Sequence, residues 1–344
     1  MKSQFLINVC LMSTFTACGL GNITSSEKTS VDDTTISDEN QVPQDSGSSP
    51  DIPEEDTSES RDDETGFSDT GDETETEILT DFSQIGPHTV GTQERSTTVS
   101  GCSPMSYTTY SPEGVSDPVT VVLGHGFGRG AGTMTGWGEH LASWGVRVLL
   151  PTLCHYNILS GVDHELNGQN MIELADIEGS VQTIYGGHSA GGLAAIIAAS
   201  QDPGAVGVFG LDATDTQDVP GVEDFIGREY AGDITHPAFG IVGEPSSCNG
   251  ENNGLLLFGM MGDASVVKVT DADHCDFESP TDFVCEFSCE DAGAEFSDEE
   301  IHEVVKTLST AAVVSLAGIS THGSLIWDEG LEDWVASGIV QELE

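Results

Sequence analysis

From about residue 97 onward, short and almost wholly apolar runs alternate with longer stretches in which apolar residues recur at helical spacing. The runs 119–123, 146–150, 181–185, 205–211, 238–242 and 266–270 predict strands. Helices are predicted between them at 134–144, 163–178, 192–199 and 301–316, and the segments 97–99 and 107–110 predict two opening strands. Strands that are apolar on both faces and separated by helices belong to a mostly parallel sheet covered on both sides, the α/β class. The dense run 255–261 (Leu-Leu-Leu-Phe-Gly-Met-Met) predicts a core helix, or alternatively a lid over an apolar pocket. No internal repeat is evident.

The chain before this region is different in kind. Met1-Lys2 precedes an apolar stretch from Phe5 to Ala17 and then Cys18, the layout of a secretory signal whose apolar core is too short to remain as a span. Phe15-Thr16-Ala17-Cys18 resembles a bacterial lipobox, with Phe15 standing where Leu is usual. That resemblance implies removal of residues 1–17 and lipid on Cys18, giving an exported chain anchored to a membrane; cleavage without lipid is the alternative. Residues 18–84 form an acidic tether, in which the part from Gly19 to Thr80 holds 19 Asp or Glu against Lys28 and Arg61. So few large apolar residues cannot offset chain entropy, so this stretch is expected to be disordered. Residues 85–344 are the right size for one α/β domain with a substantial core.

Charge narrows the partners. The formal net charge is −50, and after residue 84 the only Lys and Arg are Arg95, Arg129, Arg147, Arg228, Lys268 and Lys306. Nucleic acid is therefore excluded as a partner on electrostatic grounds. Six cysteines (Cys102, Cys154, Cys248, Cys275, Cys285 and Cys289) in an exported chain favour disulfides, with fifteen possible pairings. None shows zinc-site spacing, so no metal is expected.

Candidate chemistry lies at Gly187-His188-Ser189-Ala190-Gly191, directly after a predicted strand and before an Ala-rich predicted helix. That is the pattern of a nucleophile elbow, a sharp strand-to-helix turn that leaves one serine oxygen exposed at the carboxyl end of a sheet. A Cβ on either flanking glycine would strike a neighbouring strand or helix in so tight a turn. A second glycine-rich loop, Gly124-His125-Gly126-Phe127-Gly128, follows the strand at 119–123.

Together with Pro118–Phe127 and the segment Trp137-Gly138-Glu139-His140-Leu141-Ala142-Ser143-Trp144-Gly145, these motifs resemble the α/β-hydrolases. Cutinase-like polyester hydrolases, dienelactone-hydrolase-like esterases and chlorophyllases are the nearest branches, and the resemblance spans roughly residues 108–277. It implies Ser189 as nucleophile and the backbone N–H groups of Phe127 and Ala190 as the oxyanion hole. The general base follows the nucleophile in such chains. Of ten histidines, His274 comes directly after the predicted strand near 266–270, in a context resembling the "G-H-x-D" and "S-H-S-C" ends of chlorophyllases and polyester hydrolases. His302 and His322 are the alternatives, whereas His125 and His188 read as structural. For the acid, Gly210-Leu211-Asp212 resembles the "G-L-D-P" of chlorophyllases and pancreatic-type lipases; Asp215 and Glu244 remain open.

The expected activity is ester hydrolysis through an acyl-enzyme on Ser189, with His274 moving the proton and Asp212 fixing the imidazole. The substrate is a small-molecule or polymeric ester, no cofactor is needed, and the chain is expected to be a monomer. Phe127, Trp137 and Tyr156 are candidate pocket residues. The alternatives are thioester hydrolysis or acyl transfer, or a binding lipoprotein on a hydrolase-like fold. Cys248 and Cys275 fall in loops at the same sheet edge, and the polyester hydrolases pair a cysteine beside the histidine with one from the preceding loop. A Cys248–Cys275 disulfide is therefore expected, with Cys285 or Cys289 as the alternative partner of Cys275.

Overall fold

The computed structural model describes residues 80–157, 161–217, 222–289 and 292–343. The expected signal sequence, Cys18 and the tether as far as residue 79 lie outside them.

An antiparallel hairpin, β1 (Val90–Val99) and β2 (Cys102–Pro112), opens the fold. Then come β3 (Thr120–Gly124), helix α1 (Thr135–Ser143), β4 (Arg147–Pro151) and a small hairpin of β5 (Tyr156–Asn157) and β6 (Gly161–Val162). Next are α2 (His164–Ile177), β7 (Thr183–His188), α3 (Ala190–Gln201), β8 (Ala205–Leu211), α4 (Gly227–Ala231) and β9 (Ala238–Val242). The chain continues through α5 (Leu255–Phe258), β10 (Ala264–Val269), α6 (Phe283–Ser288), α7 (Asp298–Leu316), α8 (Thr321–Asp328), α9 (Glu332–Ser337) and β11 (Val340–Leu343).

Nine strands form one sheet in the order β1-β2-β4-β3-β7-β8-β9-β10-β11. The six from β4 to β10 run parallel, while β1, β2 and β11 pair antiparallel at the edges. This is the mostly parallel α/β sheet that the apolar runs predict. Successive strand residues point to opposite faces, so each central strand feeds two cores. Val121, Leu123, Ile184 and Phe209 pack on the side of α1, α7 and α8, whereas Val122, Tyr185 and Val208 pack against α2 and α3. Helix α3 is so Ala-rich because it is buried along almost its whole length.

The packed unit takes in Phe82, within the stretch assigned to the tether. Its side chain is fully buried against Trp144, with ring centroids 4.9 Å apart, and its carbonyl accepts from His140. Among the described residues no helix is long and apolar enough to cross a membrane.

Among the described residues three disulfides are formed: Cys102–Cys154, Cys248–Cys289 and Cys275–Cys285. Such bonds persist in oxidising compartments. The expected Cys248–Cys275 bridge is thus incorrect. Helix α6 folds back beside both loops, so Cys285 within it closes on Cys275 and Cys289, just past its end, reaches Cys248. The Cα–Cα distances are 5.8 Å and 5.6 Å.

Candidate active site

The carboxyl ends of β3, β7, β8, β9 and β10 converge on Ser189. It sits between the last residue of β7 and the first of α3, with φ 57° and ψ −126°. A non-glycine residue at positive φ stores roughly 1–3 kcal/mol of strain and persists where its surroundings hold it. The close approach of the two glycine-rich loops explains part of that support. A Cβ on Gly191 would lie 2.6 Å from the carbonyl oxygen of His125, and one on Gly126 would lie 3.3 Å from Cβ of Ser189.

His274 follows β10 in a short 3-10 turn capped by Asp273 and Asp276. Its Nδ1 lies 2.6 Å from Oδ2 of Asp212, the residue just past β8. A carboxylate only accepts, so this contact places a proton on Nδ1, and in the neutral ring the lone pair is then on Nε2, the tautomer a base requires. Asp212 is fully buried and also has positive φ, at 46°. Its carboxylate takes further hydrogen bonds from the Gly243 N–H at 3.1 Å and the Asn249 side-chain amide at 3.1 Å. Ser189 and His274 line one cavity of about 330 Å³.

The other candidates are engaged elsewhere. Oδ1 of Asp215 accepts from the backbone N–H groups of Thr216 and Gly227. Glu244 pairs with Lys268 at 2.9 Å. His302 contacts Asp276, and His322 contacts Thr80.

Phe127 and Ala190 both border the space beside Ser189. Ala190 opens α3, where the first N–H groups have no partner within the helix and the positive end of the helix dipole gathers. His125 ties the neighbouring loop down. It donates from Nδ1 to the Gly126 carbonyl and accepts the Leu153 N–H on Nε2, each at 2.9 Å. Burial lowers its pKa to about 4, which keeps it neutral in this role.

Beneath Ser189, the Tyr156 hydroxyl donates to the Ala190 carbonyl and accepts from Nδ1 of His164 at 3.3 Å. Tyr156 is buried and meets the Phe127 ring edge-on, and Trp137 is buried with its indole N–H on the Phe277 carbonyl. Both support the site and neither lines it, contrary to the expectation that they form the pocket. The run 255–261 behaves as core where Leu257 and Phe258 are buried, while Leu256 and Met260 face outward.

Several supporting residues make contacts that no sequence motif signals. His188 is buried, and its Nε2–H donates to the backbone carbonyl of His274 at 2.9 Å. Burial, then the nearby His274, holds its pKa well below the ordinary value. Arg129 makes two 2.7 Å contacts to the buried carboxylate of Glu278 and one to Asp282, the N-cap of α6. The hydrogen bond to Glu278 leads in raising the arginine's pKa. The sulfurs of Cys275, Cys285 and Cys289 lie within 4.8 Å of one another, but each belongs to a disulfide and offers no thiolate to a metal.

A scan of protein-family models gives no match to this chain, and a search of curated proteins gives none either. The functional reading therefore rests on the site itself.

Proposed function

We infer that the chain is a serine esterase of the α/β-hydrolase type. The observation that carries this reading is that His274, held by buried Asp212 at 2.6 Å, lines the same cavity as Ser189, which sits on a strained strand-to-helix turn. The chain order Ser189, Asp212, His274 is that of the α/β-hydrolase triad, and the loop at Phe127 follows the third strand, where that fold places an oxyanion donor.

In the proposed reaction Oγ of Ser189 attacks the ester carbonyl while Nε2 of His274 takes the hydroxyl proton. The carbonyl oxygen gains the electron pair and is met by the N–H groups of Phe127 and Ala190. Collapse breaks the C–O bond, and His274 returns the proton to the departing alcohol. Water then repeats the sequence on the acyl-enzyme and releases the acid. Asp212 holds the imidazole tautomer and stabilises its protonated form throughout. No cofactor enters the scheme.

The disulfides support an exported chain, and the lipobox-like run ending at Cys18 supports a lipid anchor on a membrane.

A fluorophosphonate probe tests the chemistry. It should label Ser189 in the intact chain and fail to label a folded Ser189→Ala variant, which should also stop hydrolysing p-nitrophenyl esters. Wild-type turnover in that variant would remove Ser189 from the mechanism.

A further inference from the structure

Two clefts meet at Ser189, and only one of them is lined by His274. On the esterase reading, that difference assigns the two halves of the substrate. The group that returns a proton to the leaving oxygen must lie within hydrogen-bond reach of it. The alcohol half of an ester therefore extends into the cleft beside His274, and the acyl half lies in the other, of about 170 Å³, beside Ala190.

Most polar side chains that line the acyl-side cleft are spent on the protein itself. The Thr214 hydroxyl donates to the Asp212 carbonyl at 3.3 Å, and that of Thr216 to the Glu223 carbonyl at 2.7 Å. The Asn253 amide holds the backbone N–H and carbonyl of Asp215 at 2.8 Å and 3.1 Å. Asp215 gives Oδ1 to two backbone N–H groups and turns Oδ2 toward Arg228, 4.0 Å away.

His164, 5 % exposed and also lining the cleft, is different. The Tyr156 hydroxyl gives its one proton to the Ala190 carbonyl, so toward His164 it can only accept. Nδ1 of His164 therefore carries the ring proton, and the neutral ring, its pKa lowered by burial to about 4, keeps a lone pair on Nε2. That nitrogen has no hydrogen-bond partner among the described residues, yet it is not sealed off as Nδ1 of His188 is. Tyr156 does not line the cleft, so the ring edge left to face it is the one that bears Nε2. A buried acceptor left unpaired by a bound apolar group costs binding energy, and a donor on the substrate recovers it. Among the described residues no Lys or Arg lines the cleft, so a carboxylate on the acyl group has no counterion there. The small volume leaves room for few atoms beyond the carbonyl, and a hydroxyl is the smallest neutral donor.

We propose that Nε2 of His164 is the group that recognises the acyl half, and that the preferred substrates are esters of short hydroxy acids whose hydroxyl donates to it.

Methyl esters that differ only in the acyl group test this directly. Hydrolysis of methyl butanoate and of its 2-hydroxy and 3-hydroxy derivatives, each enantiomer separately, would be followed by pH-stat with the full chain. Each kcat/KM is divided by the rate of alkaline hydrolysis of the same ester, which removes intrinsic reactivity. Wild type should favour at least one hydroxy ester over methyl butanoate by about tenfold, the scale of one neutral hydrogen bond, and its O-methyl counterpart should lose that gain. In His164→Asn the amide can still donate to Tyr156 but nothing stands at the position of Nε2, so the ratio should fall near one. A melting temperature close to wild type establishes that this variant is folded. A wild-type ratio near one, or an unchanged ratio in the folded variant, overturns the proposal while Ser189 labelling still upholds the esterase reading. Should the variant slow all the esters equally, His164 acts only through Tyr156 on the Ala190 turn, and the proposal fails. Absence of both labelling and ester turnover in wild type overturns the two readings together.

Discussion

The residue before the candidate nucleophile holds the residue that bears the candidate base: Nε2–H of His188 donates to the carbonyl of His274 at 2.9 Å. Elbow and base loop come from strands that are not neighbours, β7 and β10, and this hydrogen bond joins them directly at the level of the chemistry. The ring is buried and neutral, with Nδ1 left without a hydrogen-bond partner.

His188→Leu should leave the His274 carbonyl unpaired and let the base loop drift. A displacement of about 1 Å at a reacting group costs on the order of 100-fold in rate. The expected signature is a fall in kcat of that order with KM little changed. His188→Gln, which can place an amide N–H near the old Nε2, should recover much of it. Equal kcat in the Leu variant and wild type would make the contact incidental.

Asp212 and Glu244, two of the carboxylates considered for the role of acid, are separated by their partners. Asp212→Asn should lower kcat by about 10⁴-fold, because an amide no longer fixes the Nδ1–H tautomer. Glu244→Gln breaks only a partly exposed pair with Lys268 and should stay within a few-fold of wild type. Asn249→Ala should fall between them, since it removes one of the donors on Asp212 and leaves the imidazole in place. Steady-state kinetics on one p-nitrophenyl ester rank all three, and a larger loss for Glu244→Gln than for Asp212→Asn would reverse the assignment.

The parallel strands were legible because burial on both faces makes their runs uniformly apolar, as at 119–123 and 205–211. The edge strands were legible only in part: 97–99 and 107–110 mark short pieces of β1 and β2, and β11 was not predicted. β1 reads Val-Gly-Thr-Gln-Glu-Arg-Ser-Thr-Thr-Val, with most of its side chains in solvent, and only its last residues carried an apolar signal. The strand leading to Ser189 also starts later than its apolar run suggests, since Val181 is 86 % exposed and the sheet begins at Thr183. At the site, Ser189, Asp212 and His274 were marked by local motifs that each strand end enforces. Asn249 and Tyr156 were not, because their roles depend on where the chain returns in space. The disulfides failed for the same reason. Neighbouring strands put Cys248 and Cys275 at one edge, but nothing in the spacing reveals that α6 would fold back and offer each a closer partner.

Buried neutral histidines make stability depend on pH. Burial lowers the pKa of His125, His140 and His164 from 6.5 to about 4 in each case. The unfolded chain takes up these protons near pH 6.5 and the folded chain only near 4, so stability falls as pH drops through that window and returns as it rises. Each group accounts for about 3 kcal/mol over the full window. Protonation of the many carboxylates relieves self-repulsion at the same time, so a single histidine is best isolated by difference. In His140→Gln the amide can still donate to the Phe82 carbonyl and the Thr310 hydroxyl, which His140 meets at 3.0 Å each. Urea midpoints for the variant should fall less steeply than wild type between pH 7 and pH 5. Parallel curves would show that His140 does not contribute.

Arg129 and Glu278 form the most deeply buried ion pair near the site, with side-chain exposures of 12 % and 0 %. Removing one partner of such a pair leaves a charge in a poorly solvated place and costs roughly 3–5 kcal/mol, far more than the pair itself contributes. Arg129→Met should therefore lower the melting temperature by roughly 10 °C for a domain of this size. It also removes the arginine's contact to Asp282, the N-cap of α6. The double variant Arg129→Met/Glu278→Met removes the stranded carboxylate and should be more stable than the single one. If the double variant melts lower than Arg129→Met alone, Glu278 is stabilised by something other than the arginine, and the pair is not what holds this corner of the site.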